Sequence, residues 1–348
     1  MNKKNITYVL LLIFVMAIAS GCSTGANAGE QIVWRFGHEE VRGSIQDAYA
    51  LEFKRLVEER SNGEIYVEVY RADEIGGVMD YLEFQQKGLL AFSILNPGTT
   101  ATTIPENNVF YNHFLLPEKD ADLQELFATS EAIPMLNKLN EENDLKVLDW
   151  FYEGFNAWTA DKPIRSPQDF RGVSIRTMAS PLIVSSYAAY NANPTPMPYS
   201  EVYTGLQLKQ IDAQVNPVFA IQEMNFYEVQ DYLIQARQDG FVASLVTSPD
   251  FWEGLDAETK AMVLDIVPEL NDFVFKFQDQ LNKERLDIIR SSGNIEIIEL
   301  TEEERAVFRE AAMPVREVFL RSVGEEGAEI LRILDEDAQR IIEKNKDN

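Results

Sequence analysis

The stretch from Gln31 to Tyr70, QIVWRFGHEEVRGSIQDAYALEFKRLVEERSNGEIYVEVY, decides the fold class. Ile32 to Phe36 is a short β-rich run that passes through Gly37-His38-Glu39-Glu40 to Ser44 and, three residues on, Asp47, the spacing of a helix start with a side-chain cap. Ala48, Leu51, Phe53, Leu56 and Val57 follow on that helix, and Ser61-Asn62-Gly63 stops it. Ile65, Val67 and Val69 then alternate with Tyr66, Glu68 and Tyr70, the two-residue period of a strand. Strand, helix and strand in this order are most economically a βαβ unit, which makes the protein α/β.

Upstream, Ser23 to Glu30 is small and polar and reads as a tether. Before it, Met1 to Cys22 is MNKKNITYVLLLIFVMAIASGC, with two lysines, an apolar run from Tyr8 to Ala19, and small residues before the chain's single Cys. The run is shorter than the roughly 20 residues a spanning helix needs, so it reads as an export signal. Ala19-Ser20-Gly21-Cys22 resembles a bacterial lipobox, with Ala19 where Leu is usual; the alternative is an ordinary secretory signal with an incidental Cys. The resemblance implies a mature chain that begins at an acylated Cys22 and sits outside the cytoplasm, anchored to the membrane by lipid.

Downstream, the pattern predicts a helix from Met79 to Gly88, a buried strand from Leu89 to Leu95, and a strand from Leu145 to Tyr152, after which Gly154 and Lys162-Pro163 open a second lobe. A helix is expected near Ser166 and a strand at Val173 to Arg176. From Asp256 almost forty residues are helical in pattern, with Met262, Val263, Ile266, Leu270, Val274, Phe277 and Leu281 apolar. Pro268 predicts either a kink or two helices meeting. A charged amphipathic helix starts at Glu325 and ends in a polar tail.

Composition narrows the function. The chain has 348 residues, 45% of them hydrophobic, with 31 basic and 57 acidic side chains and a formal charge of −26. Loss of Lys3 and Lys4 with the signal would make that −28, a field that repels nucleic acid and anionic lipid. With one Cys and two His, no disulfide, thiol nucleophile or Cys/His zinc spacing is available to the mature chain, and no phosphate-binding loop, GxSxG or HExxH is present. A carboxylate-based hydrolase or lyase stays open, but no nucleophile and base are paired. The balance favours a binding protein without a cofactor.

The motif order resembles the DctP-type solute-binding subunit of tripartite ATP-independent periplasmic (TRAP) transporters. The matching pieces are His38 with its capped helix, Asn62-Gly63-Glu64-Ile65, Ile75-Gly76-Gly77 with Glu83 and Gly88, Leu115-Leu116-Pro117, Ile164 to Arg176 (IRSPQDFRGVSIR), Pro194 to Gln207 (PTPMPYSEVYTGLQ), Asp212 to Pro217 (DAQVNP) and Phe226 to Val229. The resemblance implies a two-lobed periplasmic-binding-protein-like fold with hinge strands and a long helix contacting both lobes. On that reading residues 1–21 are the signal peptide and 22–30 the tether. Residues 31–153 with about 242–281 form the first lobe, 154–241 with about 282–335 the second, and 336–348 a tail.

It also implies a site. Arg176 resembles the arginine that clamps the solute carboxylate in a two-bond fork, Asn216 the amide that shares it, and Tyr199 the aromatic that lines it. Read without the resemblance, the three are a surface or paired arginine, a turn residue and a core aromatic. Glu83, His38 and Glu39 come from the other lobe to meet hydroxyl or amino groups, although Glu83 also suits a solvated helix face and His38 a packing role. Where many relatives carry a second arginine after Gly154-Phe155, this chain has Asn156, with Trp158 close behind. That departure suggests an organic carboxylate with one anionic group and a bulky or aromatic body; the alternative is that Trp158 packs elsewhere and the solute has a second anionic group met by another residue. The partner implied is the membrane permease, and the alternative is a receptor that presents its solute to a sensor kinase. Replacing Cys22 by Ala is expected to abolish lipidation, and metabolic labelling with a fatty-acid analogue that still marks the Ala variant would contradict the anchor.

Overall fold

The computed structural model describes residues 31–72 and 74–346. The signal, the tether and Cys22 lie outside the described residues. Among the described residues ten strands run in chain order: β1 (Ile32–His38), β2 (Ile65–Tyr70), β3 (Phe92–Leu95), β4 (Lys146–Ala160), β5 (Ser174–Thr177), β6 (Asn193–Pro196), β7 (Ala213–Pro217), β8 (Tyr232–Gln235), β9 (Gly240–Thr247) and β10 (Glu296–Glu299). Their order is β2-β1-β3-β9-β4-β7-β5-β6, with β8 on β4 and β10 on β8. β1 and β2 are parallel in register Ile32 to Ile65 through Gly37 to Tyr70, with the helix Ile45–Arg60 between them, so the βαβ unit expected from Gln31 to Tyr70 is present. Ser44 Oγ accepts the Asp47 amide at 3.1 Å and caps that helix.

Two sheets share one strand. β4 pairs antiparallel with β9 from Lys146 to Phe155 and then, from Asn156 to Ala160, with β7 on one side and β8 on the other. The strand expected to stop at Tyr152 therefore runs on, and the second lobe opens inside it. The first sheet packs Trp34, Phe36, Phe53 and Phe92 into an aromatic core, and the second buries Trp158, Phe170, Tyr187, Tyr190 and Phe308 together.

The helix Ala257–Ser292 ties the lobes. It packs on the helix Ile45–Arg60, on β4, and on the helix Val218–Glu223 of the second lobe. Asp256 caps its start by accepting the Thr259 amide at 2.7 Å, and Gly293, at φ 68°, ends it. Pro268 neither splits nor ends it. The proline lies on the exposed face, so the Leu264 carbonyl it leaves without a helical donor is open to water. Residues 336–346 are likewise not a free tail: the helix Glu325–Lys344 runs to Lys344 and buries Ala338 and Ile341, and Asn345 donates to Asp122 at 2.8 Å.

The crossing itself is pinned by Gly154. Its φ is +126°, and a Cβ there would stand 2.6 Å from Asn282 Nδ2 of the long helix. Asn282 uses that approach to donate to the Glu153 carbonyl at 2.8 Å while its Oδ1 accepts the Phe219 amide at 3.0 Å, so one amide holds both lobes. Gly154→Ala combines left-handed strain with a clash. It is expected to cost ~2–4 kcal/mol of stability by urea titration, and an unchanged midpoint would show that the helix is free to move away.

Candidate functional site

β5 and β7 are parallel with Arg176 opposite Gln214, so these two side chains share a face, and Asn216 lies two residues along on that face. Arg176 is 4% exposed. Its Nε donates to the Met197 carbonyl at 3.0 Å, its guanidinium lies 5.9 Å from the centre of the Tyr199 ring, and it makes no ion pair among the described residues. Burial lowers its pKa to about 10. A desolvated guanidinium with no acid beside it costs free energy and is an empty receptor for a carboxylate. Asn216 Nδ2 donates to Gln214 Oε1 at 2.6 Å, which fixes the amide close to the β5 strand.

The opposite wall is acidic. Glu39 Oε2 accepts the Asn96 amide at 3.0 Å and also the Asn96 side chain, whereas its Oε1 is buried without a partner; burial lifts the group to about 8. Glu40 and Glu153 lie near enough to act on each other's charge; burial first pushes both upward, the Glu40 charge adds to the rise at Glu153, and Glu153 Oε2 is buried without a partner. Gln46 organises all three: Oε1 accepts the Glu39 amide at 3.0 Å, Nε2 donates to Glu153 at 3.0 Å, and the backbone amide donates to Glu40 at 3.3 Å. Glu223 joins from the second lobe, lifted to about 8 first by burial and then by Glu40, with Oε1 unpartnered. The Arg285 charge partly offsets that rise. Burial first, and then the charges of Glu40 and Glu223, push the Tyr199 hydroxyl up, with Arg176 opposing them, so both signs of charge are felt at this ring.

The lobes meet around this point. Ser180 Oγ donates to Asn108 Oδ1 at 2.7 Å, and His113 Nδ1 lies 2.7 Å from the Tyr190 hydroxyl. Asn156, Met178, Tyr187, Val215, Asn216 and Asp239 line a small hollow between them. Asn156 Nδ2 donates to Asp239 Oδ2 at 3.0 Å, and burial raises Asp239 to about 7.

Arg176, Asn216 and Tyr199 thus lie together in the second lobe and Glu39 on the acidic loop of the first, while Asn156, opposite Pro217 in the register of β4 with β7, shares the strand face of Trp158 and lines the hollow with Tyr187. His38 is fully buried, accepts the Glu40 amide at 3.3 Å and faces Asp47 at 3.4 Å; it positions the loop that carries the acids. Two expectations need correction. Trp158 is 0% exposed; antiparallel pairing turns it, with Val215, to the sheet face opposite Asn216, and its Nε1 donates to Tyr187 at 3.0 Å within the aromatic core. Glu83 is 57% exposed and paired with Lys87 on a solvated helix face. The sequence reading missed Glu40, Glu153, Glu223 and Asp239 as parts of the site. The Glu39-Glu40 doublet was a signal, but nothing local linked Glu153 or Glu223 to it.

A family model described as bacterial extracellular solute-binding protein, family 7 (DctP), matches residues 36–322. The chain belongs to this family. It is 38% identical over 317 residues to the ectoine-binding periplasmic protein TeaA of Halomonas elongata, covering 90% of this chain and 92% of that one. It is 34% identical over 336 residues to the ectoine/5-hydroxyectoine-binding periplasmic protein UehA of Ruegeria pomeroyi, covering 96% and 98%. Among solved structures, the periplasmic ectoine-binding protein of the TeaABC TRAP transporter of Halomonas elongata superposes with a TM-score of 0.85 at 37% identity over 88% of this chain and 99% of that one. A TRAP solute-binding protein from Desulfovibrio salexigens with bound orotic acid superposes at 0.84, with 27% identity over 89% and 100%. The two-lobed TRAP solute-binding fold is therefore that of this protein, and its family consists of transport proteins that bind substrate. Nothing supports a receptor that feeds a sensor kinase.

For a DctP-family protein, Arg176 should betray its role by opposite effects on stability and binding. Arg176→Met removes an unpaired buried charge, so the solute-free protein should melt no lower than wild type, while solute affinity falls at least thirtyfold, ~2 kcal/mol. Arg176→Lys keeps the charge without the fork and should recover part of the affinity. A Met variant that melts lower yet binds normally would make Arg176 a structural residue.

Proposed function

We propose that this protein is the extracytoplasmic solute-binding subunit of a TRAP transporter and that its solute is a compact zwitterion of the ectoine type, a ring bearing one carboxylate and one delocalised cation. The observation that carries this reading is a buried cation without an ion-pair partner, Arg176, felt at Tyr199 together with the acids Glu40, Glu223 and Glu153, while Glu39 is buried beside Glu40 with Oε1 unpartnered. A solute with a carboxylate at Arg176 and an amidinium toward the Glu40–Glu153 pair matches both halves, and its positive end removes the cost of ionising a crowded acid wall. The names of the TeaA and UehA relatives support the same class.

A second carboxylate would meet that wall instead of a cation, and Asn156 offers it none, since its amide is engaged with Asp239. The aromatic body expected from Trp158 loses its basis with that residue in the core, and Tyr199 is the ring left to face the solute. Asn216 would share the carboxylate with Arg176, and Glu39 would accept from the cationic end.

The closed, loaded protein would dock on the membrane permease. We infer the boundaries between the lobes near 153/154, 241/242 and 281/282, a division supported by the change of pairing partner along β4 at Asn156. Anchoring through acylated Cys22 remains part of the proposal. Among the described residues no helix is long and apolar enough to cross a membrane.

Calorimetry tests the solute class directly. Ectoine should bind, and succinate should bind at least a hundredfold more weakly, ~2.7 kcal/mol, because one of its carboxylates would be buried against acids. A stronger response to succinate would overturn the zwitterion, leaving Arg176 as a clamp for dicarboxylates.

A further inference from the structure

A second cavity lies behind the hinge, and every element that crosses between the lobes builds part of it: Tyr152 to Ala157 of β4, Gln235 and Arg237 of the return segment, and Gln278 to Leu286 of the long helix. Its volume, about 370 Å³, falls within the range of small-molecule sites. Phe155, Val218 and Leu286 give it apolar wall. Its acids are Asp120, which accepts from Gln278 Nε2 at 2.7 Å and lies in the field of Arg237, Asp279, which pairs with Lys283 at 2.7 Å, and the exposed Glu299.

Arg237 is different. It sits in left-handed backbone at φ 49°, with its guanidinium 5.9 Å from the centre of the Phe155 ring, and it makes no ion pair or side-chain hydrogen bond among the described residues. Gln235 Nε2 in the same wall is buried without a partner. A cation over a ring, an unspent amide and an apolar wall together suit a flat molecule with one carboxylate.

We propose that this hinge cavity is a second ligand site for small aromatic carboxylates and that its occupant biases lobe movement. The three connectors cannot rotate about Gly154 without changing its walls, so a ligand that fits one arrangement better shifts the balance between arrangements. Asn156 belongs to the walls of both this cavity and the hollow between the lobes, which gives the two sites a common residue. The proposal does not rest on the identity of the solute.

Benzoate is the probe, read by ligand-observed NMR and calorimetry on the mature chain. Arg176→Ala should bind benzoate as wild type does, and Arg237→Gln should bind it at least tenfold more weakly; Arg237 is exposed and unpaired, so its replacement does not endanger folding. Saturating benzoate should change solute affinity at least threefold in wild type and leave it unchanged in Arg237→Gln. Benzoate binding lost with Arg176→Ala but kept with Arg237→Gln would assign the probe to the solute cleft and overturn the site. Absence of benzoate binding, or capture of benzylamine in its place, would overturn it equally, and binding without any change in solute affinity would overturn the bias on the lobes. Loss of solute binding in Arg176→Ala with benzoate retained separates this outcome from the proposal for the main site.

Discussion

A guanidinium taken out of water without an acid partner is the constraint around which this site is arranged. Isolated buried charge is expensive, and proteins ordinarily pair it or keep it neutral. Arginine cannot be neutralised at any ordinary pH, so Arg176 remains a charge in want of a counterion, held at the end of β5 by the Met197 carbonyl and the Tyr199 ring. The nearby acids do not relieve it. Glu40 and Glu153 are both pushed upward by burial and are hydrogen-bonded to Gln46, Glu39 is held by Asn96, and Glu223 lies in the field of Arg285. Separated charges of opposite sign that the protein keeps apart are a template for a solute carrying both.

What keeps them apart and yet able to close is the sharing of one strand by two sheets. β4 carries Glu153 as the last residue before the crossing and Asn156 as the first to pair with β7. Asn282 reaches over Gly154 to both sides. The long helix thus holds the backbone carbonyl of Glu153, a member of the acid wall, at the crossing. Hinge closure of this sort is a familiar response to ligand, and here solute site, hinge and rear cavity are joined through consecutive residues of one strand.

Much of this was legible in the residues. The alternation at Ile65 to Val69, the cap at Ser44 and the apolar repeat from Met262 to Leu281 each impose their own period, and the structure follows them. Arg176 stood out because an otherwise apolar strand ended in a cation. Trp158 misled because, with Asn156, it lies on the face of β4 opposite Pro217 and Val215; only that register reveals that this face turns away from Asn216 toward the core. Glu83 resolved to the solvated alternative because Lys87, one turn on, neutralises it in water. The Glu40–Glu153 pair was illegible, since its members are brought together by β1 and β4 from distant parts of the chain. Pro268 and the last helix show the same limit: whether a proline kinks or a polar end frays depends on which side faces water, which tertiary packing decides.

The most direct test of the account is a crystal structure of the protein loaded with ectoine. The account predicts a solute carboxylate bridged by the Arg176 guanidinium and Asn216, with the amidinium against the Glu40–Glu153 pair and the ring on Tyr199. A solute whose carboxylate lies away from Arg176, with that guanidinium still unpartnered in the closed protein, would contradict it.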